Sequence, residues 1–190
     1  MTTTDHLTRT GPSWGPLTGP QPGVAPLPRR LPLARVYPGG TRLWIVGAHG
    51  GSGESALAGL DETWTGCHHR WPQTLTGPRG CILTARTSTA GLLAAQAALT
   101  QWAGSAAGVA EVLGVVLFAD APGRLPRPLK DLAQVIAGGA PRAWLIPWIE
   151  AWRYAEPTTP HTCTPAVRTL VDHLRSLAAP AAPAHRSPLT

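Results

Sequence analysis

A single lysine, Lys130, serves the whole chain. Chemistry that needs a lysine anywhere else is therefore excluded, and the net formal charge of +6 is arginine-led. A basic, arginine-led surface is compatible with nucleic acid but not specific for it, because arginine, alanine, glycine and proline enrichment also follows from coding bias. Phenylalanine occurs once and tyrosine twice, against eight tryptophans. Aromatic packing thus falls to tryptophan, with Trp44, Trp71, Trp102, Trp144, Trp148 and Trp152 as candidate core and core-rim residues. Trp148 and Trp152 stand four apart, so one helix face could also present both to a partner. The three cysteines, Cys67, Cys81 and Cys163, are an odd count without CxxC spacing. That excludes a disulfide framework and points to reduced thiols in a cytoplasm. No run approaches the ~18 apolar residues of a membrane span, and the polar start "MTTTDHLTRTGPSWGP" lacks the apolar core of a secretory signal. No period of 20–50 residues recurs, which excludes a solenoid.

Apolar residues make up 43% of the chain, enough for one buried core. Residues 1–38 carry Pro12, Pro16, Pro20, Pro22, Pro26, Pro28, Pro32 and Pro38. Proline at that density forbids helices and central strands, so 1–38 is read as an extended or disordered tail, and 179–190 likewise. The domain is placed at 39–178. Within it, Leu43–Val46, Cys81–Ala85, Val112–Phe118 and Ala143–Ile146 are near-continuous apolar runs. Strands buried on both faces of a parallel sheet read this way. Helical patterns separate them. Thr89–Ala103 follows a cap at Ser88 or Thr87, and Pro128–Ala137 stops at Gly138. A last helix opens with Thr164 as cap and Pro165 at its first position. The expected fold is α/β: three layers, a mostly parallel sheet and flanking helices. Residues 61–80 give no confident helix and at most one short strand, so they are read as a long loop.

The stretch "LWIVGAHGGSGESALAGL" carries the chemistry. An apolar strand feeds a glycine-rich turn, and a segment able to open a helix follows. Glycines let successive backbone N–H groups face phosphate oxygens, and a Ser or Thr hydroxyl can hold Mg²⁺. His49, Gly50, Gly51, Ser52, Gly53, Glu54 and Ser55 are therefore the candidate cofactor-binding residues, with Ser55 as the metal ligand. Glu54 stands where such a loop needs lysine. A carboxylate about 4 Å from a phosphate costs on the order of several kcal/mol at an effective dielectric near 20. Glu54 could instead fill, electrostatically, the place of a phosphate. Lys130 belongs to a later helix, so only an arginine could compensate, with Arg79, Arg86 and Arg124 as candidates.

"HGGSGES" resembles the deviant Walker A loop, KGGxGK[ST], of the ParA/MinD-like P-loop ATPases. The resemblance places His49 at the lysine that reaches across a dimer, Glu54 at the phosphate lysine and Ser55 at the Mg²⁺ ligand. Ala48 departs from the leading glycine of the general pattern. "CILTARTSTAGLLAAQAAL", "VLGVVLFADAPG" and "RAWLIPWIEAWRYAEP" are similar to later strands and helices of that group, so the likeness spans residues 41–178. No clear Walker B strand fits into 61–80. Asp120, after the strand Val115–Phe118, reads as the Walker B aspartate, as a later-strand residue, or as a turn former before Pro122. In each case it lies at a strand's C-terminal end, where α/β ligands bind.

Other constellations say less. Cys67, His68 and His69 with His161 and Cys163 are metal-ligand types at a spacing that matches no established finger, and ordinary loop residues are the better reading. Ser52 sits in a glycine loop rather than a nucleophile elbow, so hydrolase chemistry gains nothing from it. The expectation is a degenerate ParA/MinD-like module that does not hydrolyse ATP and acts through a protein partner or homodimer. The alternatives are an active ATPase using ATP and Mg²⁺ in partition or positioning, and an interaction scaffold without nucleotide.

Overall fold

Residues 31–33, 41–74, 79–154 and 163–178 are described by a computed structural model. Each predicted apolar run forms a strand: β1 is Leu43–Gly47, β3 Gly80–Arg86, β4 Glu111–Phe118 and β5 Ala143–Ile146. Residues 61–80 contribute one three-residue strand, β2, Trp64–Gly66. All pairings are parallel, in the order β2-β1-β3-β4-β5.

Side chains of successive strand residues alternate between two cores, as the pleat requires. Trp44, Val46, Leu83, Ala85, Val115 and Leu117 face one core; Leu43, Ile45, Ile82, Val116 and Phe118 face the other. The first is covered by α2, Thr89–Ala103, and α3, Arg127–Gly138, through Leu92, Leu99, Trp102 and Ile136. The second is covered by α1, Glu54–Ala58, and α5, Pro165–Ala178, through Leu57, Val167, Leu170 and Leu174. A four-residue turn of helix, α4, Glu150–Arg153, adds Trp152 to that side. The result is the expected three-layer α/β architecture.

The N-caps of α2 and α5 act as the sequence implies, whereas α3 takes in Gly138 and ends at Gly139 rather than stopping at Gly138. Ser88 accepts a hydrogen bond from the Gly91 amide, and Thr164 Oγ1 from the Val167 amide. The helix after the glycine loop is much shorter than its setting suggests, because Gly59 ends it after five residues. Trp64, absent from the tryptophans singled out in the sequence, is buried.

The expected tails lie outside the described residues apart from Leu31–Leu33, which is held against the domain. The Gln101 carboxamide accepts from the Leu31 amide (2.8 Å) and donates to the Leu31 carbonyl (2.9 Å). The Trp71 amide donates to Pro32 O, and Leu33 pairs with Trp71 as an isolated parallel bridge. Gln101 is 2% exposed and also holds the Ala106 carbonyl. Gln101→Ala strips partners from half-buried backbone groups, so urea denaturation is expected to show a loss of about 1–3 kcal/mol. A loss under about 0.5 kcal/mol would mean that this strap contributes nothing to the fold.

The strand order fixes where a ligand can sit. From β1 the chain moves to one side, to β2, then crosses back past β1 to β3. Adjacent strands whose connections leave in opposite directions open a crevice at their C-terminal ends. Here that crevice lies beyond β1 and β3, between the glycine loop and the turn after Arg86.

Candidate functional site

Glu54 decides what the loop does. Its carboxylate is buried, with the residue 5% exposed, and it turns back under the loop. It accepts hydrogen bonds from the amides of Gly47 (3.1 Å), His69 (3.1 Å) and His68. His69 Nδ1 lies 2.9 Å from the same carboxylate. His68 and His69 both adopt left-handed backbone, φ 51° and 58°, which aims their consecutive amides at Glu54. Each left-handed non-glycine residue costs roughly 1–2 kcal/mol, offset here by a charge-assisted hydrogen bond. The space beside Gly47 is filled as well. A Cβ at Gly47 would clash with His69 Nδ1 and would meet Glu54 Oε2 and Ser52 Oγ at 2.5 Å. The anion in this turn is the protein's own carboxylate, and it satisfies the ends of β1 and β2.

The other loop residues divide into two sets. Ser52 is 1% exposed, and its hydroxyl accepts from Thr84 Oγ1 at 3.1 Å. Gly53 sits against the Phe118 ring. Ser52, Gly53 and Glu54 thus face inward. Ser55 is exposed on α1 and does not line the cleft described next. His49, Gly50, Gly51 and Asp120 do face that cleft, an opening of about 430 Å³ at the strand switch. Arg86, Phe118, Trp148, Trp152 and Arg153 complete its main walls.

Arg86 is fixed by its surroundings. Its Nε donates to Gly51 O and its Nη1 to Ala119 O, each at 3.0 Å, while the guanidinium lies 5.9 Å from the Phe118 ring centre. Its amide donates to His49 Nε2 at 3.1 Å. That bond requires a bare Nε2, so Nδ1 carries the proton and donates to Gly50 O at 2.8 Å. His49 therefore links the glycine loop to β3 rather than reaching outward. Of the three arginines considered for compensation, only Arg86 enters this cleft. Arg79 precedes β3, at the opposite end of the sheet, and Arg124 lines a second, more apolar cleft of about 360 Å³. Asp120 lies on the wall shared by both clefts, its amide donating to Thr87 Oγ1.

The aromatic wall went unrecognised as a site in the sequence. Phe118 packs on Trp152 at 5.5 Å, and Arg153 lies 5.8 Å from the Trp148 ring centre. The available signal was the pair Trp148 and Trp152, which the structure places at the mouth of the cleft rather than on an outward helix face. The cysteines take no part. Burial, and then the nearby Glu54 charge, push the Cys67 thiol up to about 12. Burial raises Cys81 well above its ordinary value too. Both are thiols at neutral pH and poor nucleophiles. His161 lies outside the described residues; among those described, no cluster of three or more His, Cys, Asp or Glu could hold a metal.

Fold and site together define a doubly wound parallel α/β domain with a glycine loop and an arginine-aromatic cleft at its switch point. Residues 41–171 match a family of unknown function, DUF6668, and the chain belongs to that family. No curated protein and no solved structure matches the chain. Among the described residues no helix is long and apolar enough to cross a membrane.

Proposed function

We propose that the chain is a degenerate P-loop-like module that does not hydrolyse ATP and acts by binding, as an accessory or regulatory protein. The observation that carries this is Glu54, whose buried carboxylate is tied to the amides of Gly47, His68 and His69. Phosphoryl transfer rests almost wholly on positive charge and a placed Mg²⁺ around the phosphates. Here the lysine place holds an inward carboxylate, Ser55 stands apart from the cleft, and Lys130 is the only lysine in the chain. The resemblance of "HGGSGES" to the deviant Walker A loop supports a common loop geometry, and by analogy of fold a role beside partition or positioning ATPases. A protein partner or a second copy of the chain is part of this proposal.

The test is a phosphate-release assay with ATP and Mg²⁺, run beside melting curves with ATP, ADP and GTP, each with and without Mg²⁺. The expected result is no turnover above buffer and no Mg²⁺-dependent rise in Tm. A ligand at 100 times its Kd stabilises the native state by about 2.7 kcal/mol, so a genuine Mg²⁺–nucleotide site could not escape detection at millimolar concentration. Turnover abolished by Ser55→Ala would overturn the reading in favour of an active ATPase.

A further inference from the structure

We infer that the cleft at the strand switch binds a planar ring bearing a single compact anionic group, of the class of a nucleoside monophosphate, rather than a triphosphate with Mg²⁺. This rests on the reading above, that the loop has lost its catalytic charge, and adds what the remaining space recognises. The cleft has two chemically distinct ends. At one end Arg86 stands beside the exposed Gly50 and Gly51. Two of its N–H groups are used on the Gly51 and Ala119 carbonyls. A guanidinium has five N–H donors, so three remain, already held in a plane suited to two anionic oxygens. Holding the side chain on carbonyls and on the Phe118 ring removes the entropy cost of ordering it when a ligand arrives. Phe118, 2% exposed, lies under Arg86, and at the other end Trp148, Trp152 and Pro147 form an apolar, mostly aromatic wall. Such a wall stacks a flat ring without reading its edge. Arg153, against the Trp148 ring, supplies a second cation at the mouth.

Charge and space limit the anion to one group. Two guanidiniums face the cleft against the carboxylate of Asp120, with the Glu150 carboxylate beside Trp148 and Arg153, so its walls carry at most a single net positive charge. Ser52, Glu54 and His69 crowd Gly47 and Phe118 lies against Gly53, so a longer phosphate chain cannot extend behind the loop there. The cleft volume of about 430 Å³ lies within the usual range for small-ligand sites.

The full chain, titrated calorimetrically with AMP, GMP, adenosine, inorganic phosphate and ATP with and without Mg²⁺, tests this. AMP and GMP are expected to bind with Kd values within about threefold of each other, since stacking is indifferent to base edges. Adenosine and phosphate, each lacking one half of the ligand, are expected to bind at least about tenfold more weakly, as is ATP, with no gain from Mg²⁺. Trp148→Ala and Arg153→Gln alter exposed or half-exposed groups and should each weaken AMP at least about tenfold while leaving the melting temperature within about 2 °C. No heat with millimolar AMP, or AMP binding indifferent to Trp148→Ala, overturns the inference and leaves the non-hydrolysing module standing. Phosphate binding as tightly as AMP reduces the site to an anion pocket and also overturns it. ATP with Mg²⁺ binding tighter than AMP overturns it, and hydrolysis of that ATP removes the underlying reading with it.

Discussion

Glu54→Lys is expected to destabilise the fold by about 4 kcal/mol or more and to create no nucleotide site. The substitution restores the residue that the loop pattern demands, which makes the outcome informative. Glu54 accepts from the amides of Gly47, His68 and His69 and faces His69 Nδ1 at 2.9 Å. Each amide left without an acceptor costs about 1–3 kcal/mol, and an ammonium in their place adds repulsion from donors of the same sign. His68 and His69 would then hold left-handed backbone with nothing to offset its strain. The charge-neutral Glu54→Gln keeps one acceptor oxygen but turns an amide donor toward the others, so a smaller loss of about 1–3 kcal/mol is expected. Equilibrium urea denaturation of the three proteins gives the ranking directly. A Glu54→Lys protein of native stability that gains Mg²⁺-dependent ATP binding would show the cradle to be open and only its charge altered.

How much of this could be read in advance follows the range of each interaction. The four apolar runs became β1, β3, β4 and β5 because a strand buried on both faces leaves a local signature. The starts of α2 and α5 were legible because Ser88, and Thr164 followed by Pro165, act within one helical turn. The α/β class followed from alternation alone. The brevity of α1 was not legible, since Gly59 ends it in a segment whose composition still suits a helix. The docking of Leu31–Leu33 was hidden for a different reason: its partner, Gln101, lies 70 residues on. The loop's glycines were recognised, and Glu54 was singled out as the residue on which function turns. That its carboxylate serves the amides of His68 and His69, 14 and 15 residues away, depends on β2 forming beside β1. Arg86 was one of three candidates, and only the sheet order could separate it from Arg79 and Arg124. Arg153 carried no sequence signal, because it gains meaning only when the segment after β5 lines the same cleft as the glycine loop.

Two glycines of this loop should respond to alanine very differently. Gly53→Ala is expected to cost about 2–4 kcal/mol, and Gly50→Ala less than about 0.5 kcal/mol. Gly53 has φ 91°, and a Cβ there would sit 2.8 Å from Phe118 Cδ2 and 2.9 Å from Cε2. Left-handed backbone alone costs a non-glycine residue roughly 1–2 kcal/mol. Phe118 cannot swing away freely: Trp152 packs on it at 5.5 Å, and the Arg86 guanidinium lies 5.9 Å from its ring centre. The strain must pass into the walls of the cleft, so Gly53→Ala should weaken ligand binding as well as stability. Gly50 has no atom within 4 Å of a built Cβ, and its φ is outside the left-handed range. Urea denaturation of each variant measures the difference. The double variant with Phe118→Leu, compared with each single one, isolates the steric part. A smaller side chain beneath Gly53 relieves the clash, so the two losses together should come to less than their sum. Strict additivity would mean that the cost of Gly53→Ala lies in the backbone alone, and that the loop and the aromatic wall are not one mechanical unit.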